Sequence, residues 1–218
     1  MTKTESNHAT AFIVFFSIIA LAINAVQFHK LEHTREVQQQ GQAVKEATAT
    51  HAAYVAQYVN SGFSKQAGIE SLALVTVNSD GNSDSAVGTA IANHFKSDTV
   101  SISTSFFKSE FVSDKLFASV FDGSTELLKK LDLANSLDGL LLARETVQYT
   151  KNPASLDNLI TANMTLDVQV VPVSGSIQNK SWKFIATGAG FSKTEAESNA
   201  EERLIKKISS DTTMSLGN

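Results

Sequence analysis

Apolar positions along this 218-residue chain fall into three regimes, each predicting a different kind of element. The first is the run Ala11–Val26, AFIVFFSIIALAINAV, which has no charge and only Ser17 and Asn24 as polar residues. A membrane-crossing helix needs about 20 mainly apolar residues, with a lower bound near 17. With Ala9 and Phe28 as interfacial ends, the run predicts a transmembrane helix over 11–28 behind a polar N-terminus over 1–10. A signal peptide with its apolar part at Ala11–Ile23 and small residues at Ala20, Ala22 and Ala25 is the rival. Lys3 is the only side-chain cation ahead of the run, which favours an uncleaved anchor. Lys30, Arg35 and Lys45 follow it, so the flanking charges are nearly balanced and lean towards a cytoplasmic C-terminus. Ser17, Ala20 and Asn24 share one helical stripe and are candidates for helix pairing in lipid.

The second regime, 29–62, is polar and rich in Ala and Gln. Val37, Val44, Ala52, Val55 and Val59 form a thin seam near heptad spacing, which predicts a helical stalk too weakly apolar for a strong coiled coil. Asn60-Ser61-Gly62 reads as a break. The third regime, 68–210, switches between strand and helix periods. Leu72–Val77 is a continuous apolar run, as in a strand covered on both faces. A polar loop at Ser79–Asp84 leads into a helix over Ser85–Lys96 with Val87, Ile91 and Phe95 on one face, and Thr99–Ser103 alternates as a second strand. Phe107–Phe121 predicts an aromatic-rich helix, Ser124–Asn135 a second helix, and Gly139–Ala143 a buried strand continuing towards Tyr149. Residues 166–170 and 182–186 alternate around a Ser-Gly-Ser connection, predicting an antiparallel hairpin, with Pro172 at an edge or strand end. Ser192-Lys193-Thr194-Glu195 fits a capping box ahead of a helix with Ala196, Ala200, Leu204 and Ile208 on its apolar stripe. The order is therefore β-α-β-α-α-β-β-β-α, an α/β (α+β) domain with a mixed sheet, and 211–218 is a loose tail.

Composition removes several functional classes. A formal charge of -4 argues against nucleic acid, which leaves a basic footprint. With no cysteine there is no disulfide framework, thiolate nucleophile or Cys-ligated zinc site, and no cysteine to carry a lipid. His29-Lys30-Leu31-Glu32-His33 matches H-x-x-E-H, but lies outside the folded domain and lacks a third ligand. Asp80-Gly81-Asn82-Ser83-Asp84 begins like a calcium loop, yet Ser85 and Ile91 stand where that loop needs Gly and Glu. The simpler reading is a strand–helix turn with Asp84 or Ser85 as the N-cap. Gly188-Ala189-Gly190 reads as a close-packed strand–helix corner. Arg144 and Glu145 end an apolar strand, where an exposed salt bridge is the plain expectation and a binding edge the sharper one. His94 reads as a surface or rim residue.

Three segments carry a family resemblance: Ser71–Val77 with its polar loop and helix, Leu137-Asp138-Gly139-Leu140-Leu141-Leu142-Ala143-Arg144, and the last hairpin running into Gly188-Ala189-Gly190-Phe191-Ser192 and an Ala-rich helix. Together, over about 69–208, they resemble the bacterial envelope superfamily that holds the curli secretion channel CsgG, the penicillin-binding-protein activator LpoB and the N-terminal domain of TolB. The chain departs from that pattern in lacking the lipidated cysteine of its lipoproteins and the long membrane-inserting hairpins of its channels. The resemblance implies a non-catalytic envelope domain that binds or regulates a periplasmic partner protein, or alternatively a structural subunit of a ring-like envelope assembly. It carries over no catalytic residue. The expectation is a single-pass protein of the bacterial inner membrane with a periplasmic C-terminal domain. No cofactor, metal or small-molecule substrate is expected, and Asp80, Asn82, Asp84, Arg144 and Glu145 are the candidate partner-binding residues.

Overall fold

The computed structural model describes residues 36–60, 62–151, 159–174 and 177–216. The chain divides into two units, Met1–Ala52 and Ala53–Asn218. In the first, 36–52 is helical and exposed, with Val37 and Val44 both open to solvent. This helix, α1, is assigned over 36–58. The second unit runs β1 (Glu70–Val77), α2 (Ser85–Phe95), β2 (Val100–Ser103), α3 (Glu110–Ser113), α4 (Leu116–Phe121), α5 (Thr125–Leu131), β3 (Gly139–Lys151), β4 (Ile160–Pro172), β5 (Lys180–Gly190) and α6 (Lys193–Ser210). The α/β class and mixed sheet read from the sequence hold.

The sheet order is β2-β1-β3-β4-β5. β1 pairs parallel with both β2 and β3, whereas β3–β4 and β4–β5 are antiparallel. All of Ser71–Val77 is buried because β1 lies between two strands and has helices on both faces. On one face α2 and α6 seal Leu72, Leu74, Leu141, Met164, Leu166, Val168 and Phe184. On the other, α3–α5 and residues from 54 to 63 cover Ala73, Val75, Val77, Leu140 and Leu142. These short helices end their cover near Gln169, whose side-chain amide donates to Phe121 O at 2.8 Å.

The single helix expected over Phe107–Phe121 is two, α3 and α4. Lys115 between them has φ 63°, a left-handed conformation that stops one helix and redirects the next. Helix α6 starts at Ser192 as expected, with Glu195 N–H donating to Ser192 Oγ at 3.1 Å, but the return bond of the capping box is shifted by one residue: Glu195 Oε2 accepts from Phe191 N–H at 2.8 Å rather than from Ser192 N–H.

Edge strand β5 has its outward carbonyls occupied. Asn199 donates to Ala189 O, Arg203 to Thr187 O and Lys207 to Ile185 O, so one polar stripe of α6 at four-residue spacing sits along the edge. Free edge carbonyls are templates for another strand. Replacing all three by alanine is expected to lower the thermal midpoint by about 2–4 °C. The same variant should self-associate at high concentration, which light scattering reads directly. A variant with the parent's scattering and midpoint would show that the stripe does not guard the edge.

The expected single-pass inner-membrane placement needs correction. Among the described residues no helix is long and apolar enough to cross a membrane. The 18-residue α6 is amphipathic, and 36–58 is polar and exposed throughout most of its length. A span needs about 20 mainly apolar residues. The segment 11–28, with Ser17, Ala20 and Asn24, lies outside the described residues.

Candidate functional site

The connection from β1 to α2 is a closed turn that fixes Asp84. Asn78 Oδ1 accepts from the N–H groups of Asp80 (3.1 Å) and Asn82 (2.9 Å). Asn78 N–H donates to Asn82 O, and Asp84 N–H to Thr76 O. Asp84 is then the N-cap of α2: its Oδ1 accepts from Ala86 N–H at 2.8 Å and Val87 N–H at 3.1 Å. Asp80 and Asn82 are exposed on this turn, and among the described residues no group of three or more His, Cys, Asp or Glu is placed to hold a metal ion.

Arg144 and Glu145, adjacent on β3, point to opposite faces because successive strand residues alternate. They do not form the salt bridge expected of them. Arg144 pairs with Asp122 at 3.1 Å, and its guanidinium lies 4.2 Å from the centre of the Phe121 ring. Glu145 turns under α2 and α6, is 4% exposed, and keeps Oε1 without a hydrogen-bond partner. Burial pushes its carboxyl up to about 8, reinforced by the charge and hydrogen bond of Asp84 and by Glu201 and Glu197. At neutral pH Glu145 is therefore mainly protonated and donates to the Asp84 carboxylate. Glu201 is also raised, by burial, Asp84 and Glu197. Tyr149 Oη donates to Glu197 Oε2 at 2.8 Å.

Asp84 and Glu145 are thus brought together, Asp80 and Asn82 stand on the adjoining turn, and Arg144 faces away. Sequence reasoning did not single out Glu197 and Glu201, although their four-residue spacing puts them on one side of α6. It also passed over Thr76, which is 5% exposed and has an unpartnered Oγ1 on the same sheet face as Glu145.

Two surfaces lie beside this cluster. The first is a cleft of about 320 Å³ at the carboxyl ends of β1 and β2, where the following connections leave to opposite faces of the sheet. Ser83, Ser85, Thr104 and Ser109 give it a hydroxyl lining, with Asp84 and Lys108 as charges; the Thr76 hydroxyl is buried behind it, and Glu145 does not line it. The second is the half of the sheet that α3–α5 leave uncovered. Its cross-strand rows are Arg144–Asp167–Lys183, Thr146–Thr165–Ile185 and Gln148–Asn163–Thr187. Lys183 pairs with Asp167 at 3.4 Å, Thr187 Oγ1 donates to Asn163 Oδ1 at 3.0 Å, and Ile185 is 53% exposed. The rows combine one charged row with hydroxyl and amide side chains, and Ile185 is the large apolar side chain among them.

No protein-family model matches the chain, and no curated protein matches it. Among solved structures it is similar to a hypothetical protein from Chlamydia trachomatis, at 11% identity over 64% of this chain and 93% of that one, with a TM-score of 0.38. It is similar to the lipoprotein GNA1162 from Neisseria meningitidis, at 13% identity over 64% and 94% of the two chains, with a TM-score of 0.34. A PelC dodecamer from Paraburkholderia phytofirmans is also similar, at 15% identity over 68% and 91%, with a TM-score of 0.29.

Proposed function

We propose that the 68–210 region is a non-catalytic binding domain of the bacterial cell envelope and that its ligand is a protein. The observation that carries this reading is the uncovered sheet surface of β3, β4 and β5. Helices α2 and α6 seal the opposite face of the same strands with apolar side chains, while this face keeps paired polar rows and the exposed Ile185. A broad, mostly polar sheet surface with an exposed apolar side chain on its β5 edge suits a protein partner better than a small molecule, which needs a concave and mainly apolar pocket. The burial of Glu145 supports the non-catalytic reading: among the described residues it lines neither surface, and of the Asp84–Glu145 pair only Asp84 reaches the cleft. The resemblance of 69–208 to the CsgG, LpoB and TolB N-terminal superfamily supports the envelope assignment.

A photo-crosslinking residue at position 185, with one at exposed Glu126 on α5 as the control, tests this reading in cells. The expected result is a discrete adduct at 185 that Thr165→Arg removes without changing the thermal midpoint. An adduct with a second copy of the chain would assign the face to self-assembly instead. Equal labelling at 185 and 126, or none, would falsify the proposal.

A further inference from the structure

Glu145 stands where three elements meet, and all the charged groups acting on it are acidic. Asp84 faces it from the start of α2, and Glu197 and Glu201 from the first half of α6. From β4 its cross-strand partner is Leu166, which is apolar. On β3 itself Tyr149 donates to Glu197, and Asp80 acts on Tyr149 from the β1–α2 turn. Nearby, the Lys193 ammonium lies 4.9 Å from the centre of the Tyr149 ring. Glu145 Oε1 and Thr76 Oγ1 are the two buried side-chain polar atoms without a partner among the described residues. Native interiors rarely leave such groups unpaired, and those that persist mark stored strain or a working role.

We propose that Glu145 is a proton latch: protonated, it ties the amino-terminal end of α2 to β3 beneath the first turns of α6, and loss of its proton releases the β1–α2 turn and, by repulsion from Glu197 and Glu201, loosens the first turns of α6. The latch works through Asp84. While Glu145 carries its proton it donates to the Asp84 carboxylate, which in turn holds Ala86 N–H and Val87 N–H at the start of α2. Without the proton, Glu145 is a second carboxylate beside Asp84, close to Glu197 and Glu201, and no cation among the described residues lowers its pKa. The turn it frees carries Ser83, Asp84 and Ser85 on one wall of the 320 Å³ cleft, so the latch sets the width of that cleft. The device is independent of whether the open sheet face receives a partner.

The direction of the pH effect follows from where each state holds its proton. The closed latch titrates at about 8, against an ordinary value of 4.5 for a solvated glutamate. The closed state therefore binds the proton more tightly. Closure is fully favoured below 4.5, weakens as pH rises towards 8, and levels off above 8, where both states are ionised. One linked proton changes the opening equilibrium by at most about tenfold per pH unit in that window. Glu201, also raised, adds in the same sense.

Amide hydrogen exchange on the full chain, corrected for intrinsic rates, tests the latch. Protection of the amides in 84–88 and 197–201 is expected to fall by at least about tenfold between pH 5.5 and 8, then to plateau, while the β4 core changes less. In Glu145→Gln the carboxamide still donates to Asp84 but does not titrate, so the fall should be much shallower. In Asp84→Asn the cap is kept and its charge lost, so the Glu145 carboxyl, followed by carbon NMR, should titrate lower than in the parent. An identical exchange profile in parent and Glu145→Gln overturns the latch. If Glu145→Gln does not fold, a Glu145 midpoint unmoved by Asp84→Asn, or one already near 4.5 in the parent, overturns it equally.

Discussion

Gly188→Ala is expected to cost about 3–5 kcal/mol and to lift α6 off the sheet. The reason is a close approach of backbones. A Cβ built on Gly188 would collide with the carbonyl oxygen of Ala196 and the amide nitrogen of Ala200, both backbone atoms of α6. A flexible side chain could swing aside, but a helix backbone cannot move without displacing Ala196, Ala200 and Leu204, each 0% exposed. Gly190 repeats the contact one pleat later, where a Cβ would stand 2.7 Å from Ala196 N. Denaturant unfolding followed through Trp182, the only tryptophan, reads the loss. That residue lies in the same assembly, with its indole N–H on Thr213 O at 3.3 Å. Ala189→Gly, on the exposed face between the two glycines, is the matched control and should change stability far less. A Gly188→Ala midpoint equal to the parent's would mean that α6 can shift outward freely, and the packing account would fail.

Asp138→Ala should cost about 3 kcal/mol, a fall of roughly 6–12 °C in thermal midpoint. Asp138 joins three parts of the chain. Its Oδ2 accepts from Ser71 N–H at the start of β1 at 2.8 Å, and its Oδ1 accepts from Ser174 Oγ at 2.8 Å and pairs with Lys65 at 2.8 Å. Its backbone adds N–H to Ser71 O and accepts from Val173 and Ser174. Truncation leaves the N–H of Ser71, itself 1% exposed, without an acceptor in the core. Burial alone would raise the Asp138 carboxyl, but bonds from Lys65, Ser71 and Ser174 outweigh it and hold the group below its usual 3.8. Its contribution is thus complete above that value and lost as pH falls through the lowered one, so the deficit of Asp138→Ala should shrink in acid. Asp138→Asn keeps the shape and loses the charge, and should fall between parent and alanine. A deficit that did not shrink in acid would remove the electrostatic part of this account.

The element order was legible because each piece announces itself locally. The unbroken apolar runs of β1 and of the first half of β3, the alternation in β4 and β5, the Asp84 cap and the Ser192 capping box each need only near neighbours in sequence. What could not be read depends on contacts between distant segments. Lys115 breaks a helix with a left-handed backbone, a conformation its residue type does not signal. Arg144 and Glu145 look like one feature in the sequence, although strand alternation places them on opposite faces. The burial of Glu145 comes from α6, some fifty residues onward, and the site follows from that. The polarity of the open sheet face was written in the odd-numbered positions of β4, but nothing local says that the short helices stop before covering it.

The connectivity of the sheet also governs the order in which closure is entropically cheap. β3, β4, β5 and α6 are sequence neighbours that pair or pack on one another in turn, whereas β1 must find β3 across the whole α2–α5 excursion, Leu72 meeting Gly139. Closing a long loop costs more entropy than closing a hairpin, and non-local pairing slows folding. During synthesis β1 leaves the ribosome well before its partner exists. Its sequence, ESLALVTV, is strongly apolar and rich in strand-forming residues, and β2 can pair with only Glu70–Ala73, so until β3 arrives one edge of β1 is open and suited to chaperone capture. A strand buried on both faces of the finished sheet thus waits for its longer neighbour until most of the chain is made.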